Sequence, residues 1–272
     1  MAQATSAVFR KLHQQPGQPF VLANVWDAGG ARLVESLGAK AIATTSAGVA
    51  WSLGYADGNK LPVDELAHLV RGIVRTVKVP VTIDAEGGYS AEPSVVVDGL
   101  EPLFATGIAG INIEDGADAP SVLATKIEAI KRSTAALGHD VFVNVRTDVY
   151  LRQLSPNETK VAEVLKRARI YREAGADGLF VPGIVDPIQI REVASGTELP
   201  LNVMAFPGLP GLAELARLGV RRLSAGSAMS QVLWQHLSVL AQRFLTEGDS
   251  AVFGEASMNY GQLQALFTGA PN

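Results

Sequence analysis

Five acidic residues in the first half of the chain are spaced in a way typical of a metal site. Asp57 lies in SLGYADGNK, Asp84 and Glu86 lie in VPVTIDAEGGYS, and Glu114 and Asp115 lie in GINIEDG. The last two groups each end a run of β-branched residues, where a parallel-barrel strand presents side chains to a ligand. Because converging carboxylates repel one another, a hard cation such as Mg²⁺ is expected among them. The acids therefore predict a magnesium site.

The composition limits the classes of partner. The 272 residues, 47% hydrophobic and 18% charged, suit one α/β barrel or two smaller domains. The net charge is −4 and the basic residues are scattered, which favours a small molecule over a nucleic acid. The absence of cysteine removes disulfides and thiol chemistry. No apolar run reaches the ~18 residues of a membrane span, and the first 17 residues do not resemble a signal peptide, so we expect a cytoplasmic protein without a membrane partner.

Eight runs rich in Val, Ile and Thr alternate with segments of helical apolar spacing. The strand-like runs lie at 20–25, 41–46, 79–86, 110–115, 141–148, 178–183, 199–205 and 221–226. The alternation implies parallel pairing. Four predicted helices end just before a glycine that can adopt the left-handed cap, namely Gly38, Gly107, Gly175 and Gly219. No GxGxxG or GxxxxGK[ST] motif follows a strand, so a (β/α)₈ barrel of the TIM type is favoured over an open nucleotide-binding sheet.

The segment from about 228 to 272 supplies more helix than a barrel requires. We predict one barrel domain over 1–272, of which this segment is a helical extension. The extension carries a surplus apolar face, which predicts that it docks either on another subunit or back on its own barrel.

The acids also have structural interpretations. An acid at a strand end is often a helix N-cap or an ion-pair partner. Asp84 and Glu86 are two residues apart, and in a strand they would point to the same side. Asp115 should face away from Glu114 and be structural. Asp57 could simply begin an Asp-Gly turn.

Arg146 is the one cation at the predicted strand ends, and its planar guanidinium suits a carboxylate or phosphonate held at two points. Asp148, two residues further on, would orient it. The histidines fall in terminal, helical or loop segments, so neither a histidine dyad nor a zinc site is expected from His13, His68, His139 or His236. A competing hypothesis places a phosphate at the glycines after strands seven and eight, Gly208, Gly211 and Gly226.

From about residue 18 to 240 the chain resembles the isocitrate lyase/phosphoenolpyruvate mutase superfamily. The resemblance rests on NVWDAGGARLVESLGAKAIATTSAGVAWSLGYADGNKLPVDEL, VPVTIDAEGGYS, INIEDG and VNVRTD. The family's Asp-x-Asp-x-Gly-[Tyr/Phe]-Gly segment is similar to residues 84–90, with Glu for the second Asp and Ser for the last Gly. The resemblance implies a Mg²⁺ ion, with Mn²⁺ as an alternative. Asp84 would contact the ion directly, and Asp57, Glu86 and Glu114 would hold it mainly through waters.

The resemblance also assigns substrate-binding residues. Thr45, Ser46 and Ala47 fall where the family binds the substrate carboxylate and oxo group, and Arg146 falls at its carboxylate-binding arginine. We add Asn202 to this set, and we assign Thr45, Arg146 and Asp57 to catalysis. The family's barrels usually swap a C-terminal helix between subunits, which implies a homodimer or homotetramer.

Departures from the family pattern narrow the chemistry. Isocitrate and methylisocitrate lyases carry a Lys-Lys-Cys-Gly-His loop after the Ile-Glu-Asp strand, whereas this chain continues GADAPSVLATKIEAIK. Those lyases also have Asn-Ile-Thr-Glu-Phe where residues 202–206 read NVMAF. Phosphoenolpyruvate mutases have a longer gating loop with Lys and Asn, which only Ser121, Thr125 and Lys126 could approximate here.

The leading hypothesis is a Mg²⁺-dependent lyase or decarboxylase that cleaves a C–C bond of a small 2-oxo or 2-hydroxy dicarboxylate, such as oxaloacetate or a substituted malate, through a metal-stabilised enolate. Retro-aldol cleavage needs a base, for which Tyr55 and a metal-bound water are weak candidates. One alternative is P–C bond chemistry, as a phosphonomutase or phosphonopyruvate hydrolase. Another is a catalytically silent protein that binds oxo acids.

Overall fold

Eight parallel strand segments form a nearly closed barrel in the computed structural model, which describes residues 2–15, 17–254 and 257–268. The first segment is interrupted at Ala23 and counts as two strands. The nine strands are β1 (Phe20–Leu22), β2 (Asn24–Val25), β3 (Ile42–Thr44), β4 (Val81–Asp84), β5 (Gly110–Glu114), β6 (Phe142–Arg146), β7 (Gly178–Val181), β8 (Leu201–Met204) and β9 (Arg222–Ser224). Their order around the barrel is β1-β9-β8-β7-β6-β5-β4-β3-β2. The predicted barrel is confirmed, with every strand run in its predicted place.

The interruption between β1 and β2 allows the barrel to close, because the two strands pair with different neighbours. In β1, Phe20 pairs with Arg222 of the last strand, whereas in β2 Asn24 pairs with Ala43 of β3. The Asn24 side chain joins the two sides, since its Nδ2 donates to the Thr44 carbonyl at 2.8 Å and its Oδ1 accepts from the N–H groups of Ala225 and Gly226 at 2.9 and 3.0 Å. The alternating pattern of 20–25 did not predict this break, because it depends on two different partner strands.

Helices surround the strands of the barrel. They are α1 (Ala2–Leu12), α2 (Ala28–Ser36), α3 (Ser46–Ser52), α4 (Val63–Thr76), α5 (Pro93–Phe104), α6 (Pro120–Ala136), α7 (Lys160–Glu173), α8 (Pro187–Gly196), α9 (Leu212–Arg217), α10 (Ala228–Glu247) and α11 (Tyr260–Phe267). The predicted caps at Gly38, Gly107, Gly175 and Gly219 all have positive φ, between 84° and 104°. None of the described helices has the length and hydropathy that a membrane span requires.

Helix α1 closes the end of the barrel where the strands begin. Its buried Phe9 meets the rings of Phe20 and Phe142 edge-on, with centroids 6.0 and 5.5 Å away. His13 stacks on Phe142 at 4.3 Å, and its Nδ1 donates to the Phe9 carbonyl at 2.9 Å. The imidazole is therefore neutral and lies in an aromatic cluster at the end of the barrel where the strands begin, opposite the end where the strands terminate.

His13 makes the fold sensitive to acid. Burial, with the nearby charge of Arg222, lowers the pKa of His13 to about 3. The unfolded histidine binds a proton near pH 6.5 and the folded one does not, so stability falls as the pH drops below 6.5, by up to about 1.4 kcal/mol per pH unit. We expect His13→Phe to reduce this slope in urea titrations between pH 7 and 4.5. His68→Phe, on an exposed site, is the control, and an unchanged slope in His13→Phe would contradict the assignment.

The two C-terminal helices differ in how they pack. Helix α11 lies against α2, where Arg32 Nε donates to the Leu266 carbonyl at 2.7 Å. Helix α10 instead leaves a row of large apolar side chains exposed, including Val232, Leu233, Trp234, Leu237 and Phe244. The described extension thus packs partly on its own barrel and partly presents an uncovered apolar face.

Candidate active site

A cavity of about 360 Å³ lies at the end of the barrel where the strands terminate. It brings together most of the predicted site residues, namely Thr45, Ser46, Ala47, Asp57, Asp84 and Arg146. Glu114 lines a neighbouring cavity of about 320 Å³ beside Tyr89, Lys126 and Arg152. Parallel strands deliver these residues to one rim because all the strands end on the same side.

Asp84 is the last residue of β4 and lies deep in the larger cavity. Its backbone N–H donates to Thr44 Oγ1 at 2.9 Å, and its carboxylate accepts from the N–H groups of Glu86, at 3.2 Å, and Ser46. Burial raises the pKa of Asp84, while the charge of Arg146 and the two N–H groups oppose that rise. Ser46 begins helix α3, so the helix start and the acid share one wall.

Arg146 ends β6 and is surrounded by carboxylates. Nε and Nη2 donate to Asp148 at 2.7 and 3.2 Å, and Nη1 lies 2.8 Å from Glu114 Oε2. Burial works against the guanidinium charge, but Glu114, Asp148 and Asp84 outweigh it and raise the pKa of Arg146. Asp148 therefore orients the arginine, as the sequence predicted, by the two-point geometry that guanidinium favours.

Glu114 shows that the site holds more negative than positive charge. Burial raises its pKa to about 8, and the charge of Arg146 opposes this while the charges of Asp84, Asp148 and Glu86 add to it. The carboxylate oxygens are the hard donors that Mg²⁺ prefers. A divalent cation would relieve the repulsion among these acids, so the donor set fits such an ion.

The described side chains do not enclose a metal ion by themselves. Within the described ranges, no three Asp, Glu, His or Cys side chains gather in a group that could hold a metal by themselves. Mg²⁺ usually keeps several waters and takes one or two carboxylates. The arrangement is therefore compatible with one direct ligand, Asp84, and with other acids acting through waters.

The position of Glu86 shows that the sequence prediction of Asp84 and Glu86 on the same side of one strand was wrong. The strand ends at Asp84, and Glu86 adopts a left-handed backbone with φ of 48°, so strand alternation does not place it beside Asp84. Its buried carboxylate accepts from the backbone N–H of Asn59 and Gly58 and from the Tyr89 hydroxyl. Glu86 thus holds the loop containing Asp57 against the end of β4.

Asn59 completes this loop and was missed by sequence reasoning. Its Oδ1 accepts from the N–H groups of Gly87 and Tyr89 at 3.2 and 3.3 Å. These bonds tie the exposed Asp57 to the Asp84 segment, so that both acids line one cavity. The Asp-Gly turn is real, since Gly58 has φ of 98°, but it also presents Asp57 to the site. The Asn after Asp-Gly was the one available signal.

Asp115 is buried and does not line the cavity that holds Asp84 and Arg146, as predicted for a structural residue. It accepts from Arg167 Nη1 at 2.8 Å, from the Tyr171 hydroxyl at 2.7 Å and from the Asp148 N–H at 2.9 Å. We expect Asp115→Ala to lower the free energy of unfolding by about 3–5 kcal/mol, because three buried donors lose their acceptor at once, although Arg167 keeps its ion pair with Glu163. Urea unfolding measures this against Asp118→Ala, an exposed acid in the same loop. Equal stability of the two variants would contradict it.

Asn202 is not brought into the cavity. It is fully buried below it, where Nδ2 donates to the Val203 carbonyl at 2.6 Å and to Ser224 Oγ at 3.1 Å, and Oδ1 accepts from Asn144 at 3.1 Å. Its polar groups thus bond within the barrel interior. The strand-end position predicted from sequence was two residues too early, since β8 continues to Met204.

Two other candidate residues, Tyr55 and Lys126, form hydrogen bonds to groups that do not line the cavity. The Tyr55 hydroxyl donates to Glu65 at 2.6 Å, and this bond raises the pKa of Tyr55, so the tyrosine is poorly suited as a base. Lys126 lies on α6, as predicted, and its Nζ donates to the Gly87 carbonyl at 2.8 Å. The glycine-based phosphate site is not supported either, because the N–H of Gly226 donates to Asn24.

A parallel barrel with acids, an arginine and a helix start around one pocket at its strand termini is the architecture of a barrel enzyme. The chain belongs to the phosphoenolpyruvate phosphomutase family, whose sequence profile matches residues 9–245. It is thus an enzyme of the isocitrate lyase/phosphoenolpyruvate mutase superfamily of lyases and mutases, as the sequence motifs indicated.

Individual relatives agree with this membership. An uncharacterised protein of Mycobacterium tuberculosis is 37% identical over 262 residues, covering 94% of this chain and 95% of the relative. An oxaloacetate decarboxylase of Bradyrhizobium is 30% identical over 234 residues, covering 80% and 78%. A crystal structure of a Burkholderia cenocepacia protein provisionally described as a phosphonomutase superposes with a TM-score of 0.84 at 37% identity, covering 89% of this chain and 99% of that one.

Proposed function

We propose that the protein is a Mg²⁺-dependent lyase or decarboxylase that cleaves a C–C bond of a small 2-oxo or 2-hydroxy dicarboxylate, such as oxaloacetate or a substituted malate. The observation that carries the proposal is the pairing, in one cavity of about 360 Å³, of a half-buried carboxylate at Asp84 with a guanidinium at Arg146. The first suits a cation and the second suits a substrate carboxylate.

Each of the site residues has a role in this proposal. Asp84 would contact the ion, and Asp57, Glu86 and Glu114 would act through waters. When bound, Mg²⁺ would supply Lewis-acid stabilisation of the negative charge that develops on the substrate oxygens. Arg146 would exchange its contact with Glu114 for a substrate carboxylate while Asp148 keeps it oriented. At the start of α3, Thr45 and Ser46 would offer their hydroxyls and Ala47 its N–H, since the N–H of Thr45 donates to the Val25 carbonyl and that of Ser46 donates to Asp84.

The residues lining the cavity favour decarboxylation over retro-aldol cleavage. In the described chain the lining contains no histidine, lysine or tyrosine, and its two carboxylates, Asp57 and Asp84, are assigned to the metal ion in this proposal, so no lining residue remains to act as the base. Loss of carbon dioxide needs no strong base, whereas retro-aldol cleavage must remove a hydroxyl proton. The similarity to an oxaloacetate decarboxylase supports the same choice.

Phosphonate chemistry is the second candidate, and the phosphoenolpyruvate phosphomutase family membership is the observation that favours it. Against it, Lys126 lines the neighbouring cavity of about 320 Å³ and not the one that holds Asp84 and Arg146. A screen with Mg²⁺ over oxaloacetate, substituted malates and phosphonopyruvate distinguishes the two when it follows pyruvate release and, by ³¹P NMR, the conversion of phosphonopyruvate, because a mutase rearranges that substrate without releasing pyruvate. Turnover of phosphonopyruvate alone would overturn the C–C proposal, and oxalate binding without turnover of any substrate would identify a silent oxo-acid binder.

We also propose that the barrel assembles as a homodimer or homotetramer through α10. The exposed apolar face of that helix is the supporting observation, because monomeric proteins rarely expose such a row. A second copy that received this helix would bury it, as a helix exchange between subunits does.

Leu237→Asp tests the assembly, since it puts a charge in the middle of the exposed row. We expect the variant to be monomeric in light scattering after gel filtration, with a wild type of two or four copies. The matched control is Leu137→Asp, an exposed leucine at the end of α6, which should leave the mass unchanged. A monomeric wild type would refute the proposal.

A further inference from the structure

A polar layer crosses the barrel interior directly below the cavity. Asn112 and Asn144 lie on the neighbouring strands β5 and β6, and Asn202 and Arg222 lie on the neighbouring strands β8 and β9, with β7 between the two pairs. Each residue stands two positions before a cavity-facing or rim residue, so it points inward one step deeper. Barrel interiors are usually filled by branched apolar side chains. A layer of three amides and a guanidinium is therefore unusual, and all four residues are at most 5% exposed.

The hydrogen bonds of this layer fix the orientation of every amide. Asn202 Nδ2 faces the carbonyls of Val203 and Arg222, which only accept, so Asn202 Oδ1 must be the group that receives Asn144 Nδ2. Asn144 Nδ2 also donates to Asn112 Oδ1 at 2.9 Å. Asn144 Nδ2 thus donates to the amide oxygens on both of its sides, and Asn202 passes the pattern on to the backbone of β8 and β9.

Arg222 fixes the last amide independently. Its Nη2 donates to Asn112 Oδ1 at 3.3 Å, and arginine has no acceptor, so this oxygen cannot exchange places with the nitrogen. With two donors on Oδ1, Asn112 turns its Nδ2 away from the layer. Asn112 lines the cavity, and within the described chain its Nδ2 has no acceptor. The register places it beside Asp84 on the neighbouring strand.

We propose that Asn112 is a substrate-binding residue whose Nδ2 donates to a carboxylate or oxo oxygen of the bound oxo acid, and that Arg222 is the positioning residue that orients it. This deepens the proposed function and rests on it. Asn112 supplies a neutral donor on the floor of the cavity, beside Asp84. An amide N–H there can bind the substrate without adding charge among the carboxylates.

The burial of Arg222 supports a role beyond stability. It is fully buried, its Nε and Nη1 have no partner, and no described carboxylate lies within ion-pair distance. Burying an unpaired charge is costly, and replacing a buried charge by a well-packed apolar residue is often neutral or stabilising. A cation that does not strengthen the fold is readily explained if it orients a group in the site.

Oxalate, a planar mimic of a 2-oxo acid, tests the assignment by calorimetry on the Mg²⁺-loaded protein. We expect Asn112→Leu to weaken oxalate binding about tenfold, the effect of one lost hydrogen bond, with the affinity for Mg²⁺ alone unchanged. Arg222→Met should weaken oxalate binding less than Asn112→Leu does, with an equal or higher melting temperature. Thr82→Val, which alters a buried hydroxyl without a partner on β4, is the matched control and should bind oxalate normally.

Oxalate binding by Asn112→Leu at wild-type affinity would overturn the proposal, as would an equal loss of Mg²⁺ affinity. If Asn112→Leu fails to fold, unchanged oxalate affinity in Arg222→Met overturns the positioning role and a loss supports it. Failure of the proposed function looks different. A wild type that binds oxalate with these variant effects, yet releases no pyruvate, leaves Asn112 assigned and removes the reaction.

Discussion

Asp84→Ala is expected to lower Mg²⁺-dependent pyruvate release by at least about 10³-fold. The estimate follows because a metal ion contributes several kcal/mol of transition-state stabilisation, and Asp84 is the carboxylate proposed to contact it. Its neighbours cannot replace it. Glu86 is occupied by Asn59 and Tyr89, and Glu114 by Arg146.

The same substitution should not weaken the fold. Burial raises the pKa of Asp84, which means that the ionised carboxylate is disfavoured in the folded protein, so its removal should leave the melting temperature unchanged or higher. Asp84→Asn keeps the shape and the bonds from Ser46 and Glu86, and we expect it to lose activity to a similar degree.

Glu128→Ala, an exposed acid on α6, is the control and should retain full activity. Pyruvate release is measured by a coupled assay over a range of Mg²⁺ concentrations, and oxalate binding by calorimetry. If Asp84→Ala kept wild-type activity with Mg²⁺, or bound oxalate as the wild type does, the metal assignment would be wrong.

Arg146→Met is expected to have the second large effect, on activity and on stability together. We expect kcat/KM to fall about 10²- to 10³-fold, because a preorganised, charge-assisted donor is lost. Glu114 and Asp148 lose their shared partner, so the free energy of unfolding should fall by about 3–5 kcal/mol. Arg146→Lys keeps the charge but not the planar fork, and should recover more stability than activity.

Arg152→Met is a matched control for this prediction. Arg152 Nε also donates to Asp148, at 2.9 Å, but the side chain is 53% exposed and does not line the cavity that holds Asp84 and Arg146. Exposed ion pairs contribute about 0–1 kcal/mol, so the control should lose little stability and little activity. Arg146→Met with the kinetics and unfolding curve of Arg152→Met would contradict the role of Arg146.

The strand ends and capping glycines of the chain were predictable because they depend on local patterns. Runs of Val, Ile and Thr marked each strand of the barrel. Gly38 and Gly175 marked helix ends, because glycine is favoured wherever the backbone is left-handed. Asp84 and Arg146 were found for the same reason, since each ends a strand whose length the pattern already indicated.

The rest of the site depended on contacts between distant segments. Glu86 shows this, because its left-handed backbone and its bonds to Asn59 and Tyr89 arise only when two loops meet. Asn202 was predicted to face the substrate, yet it lies inside the barrel because it is the second residue of β8, two positions before the strand ends at Met204. Its bonds to Asn144 and Ser224 cross strands far apart in sequence.

By itself the sequence determined the superfamily, the barrel and the acids that converge, since each follows from residue type and local spacing. Only the tertiary structure decided how these groups are oriented. Asn112 appears in the sequence as one polar residue within a β-branched run, and its role depends on Asn144 and on Arg222, which is 110 positions away. Hydrogen-bond direction in a buried layer is a property of several strands at once, so no local pattern contains it.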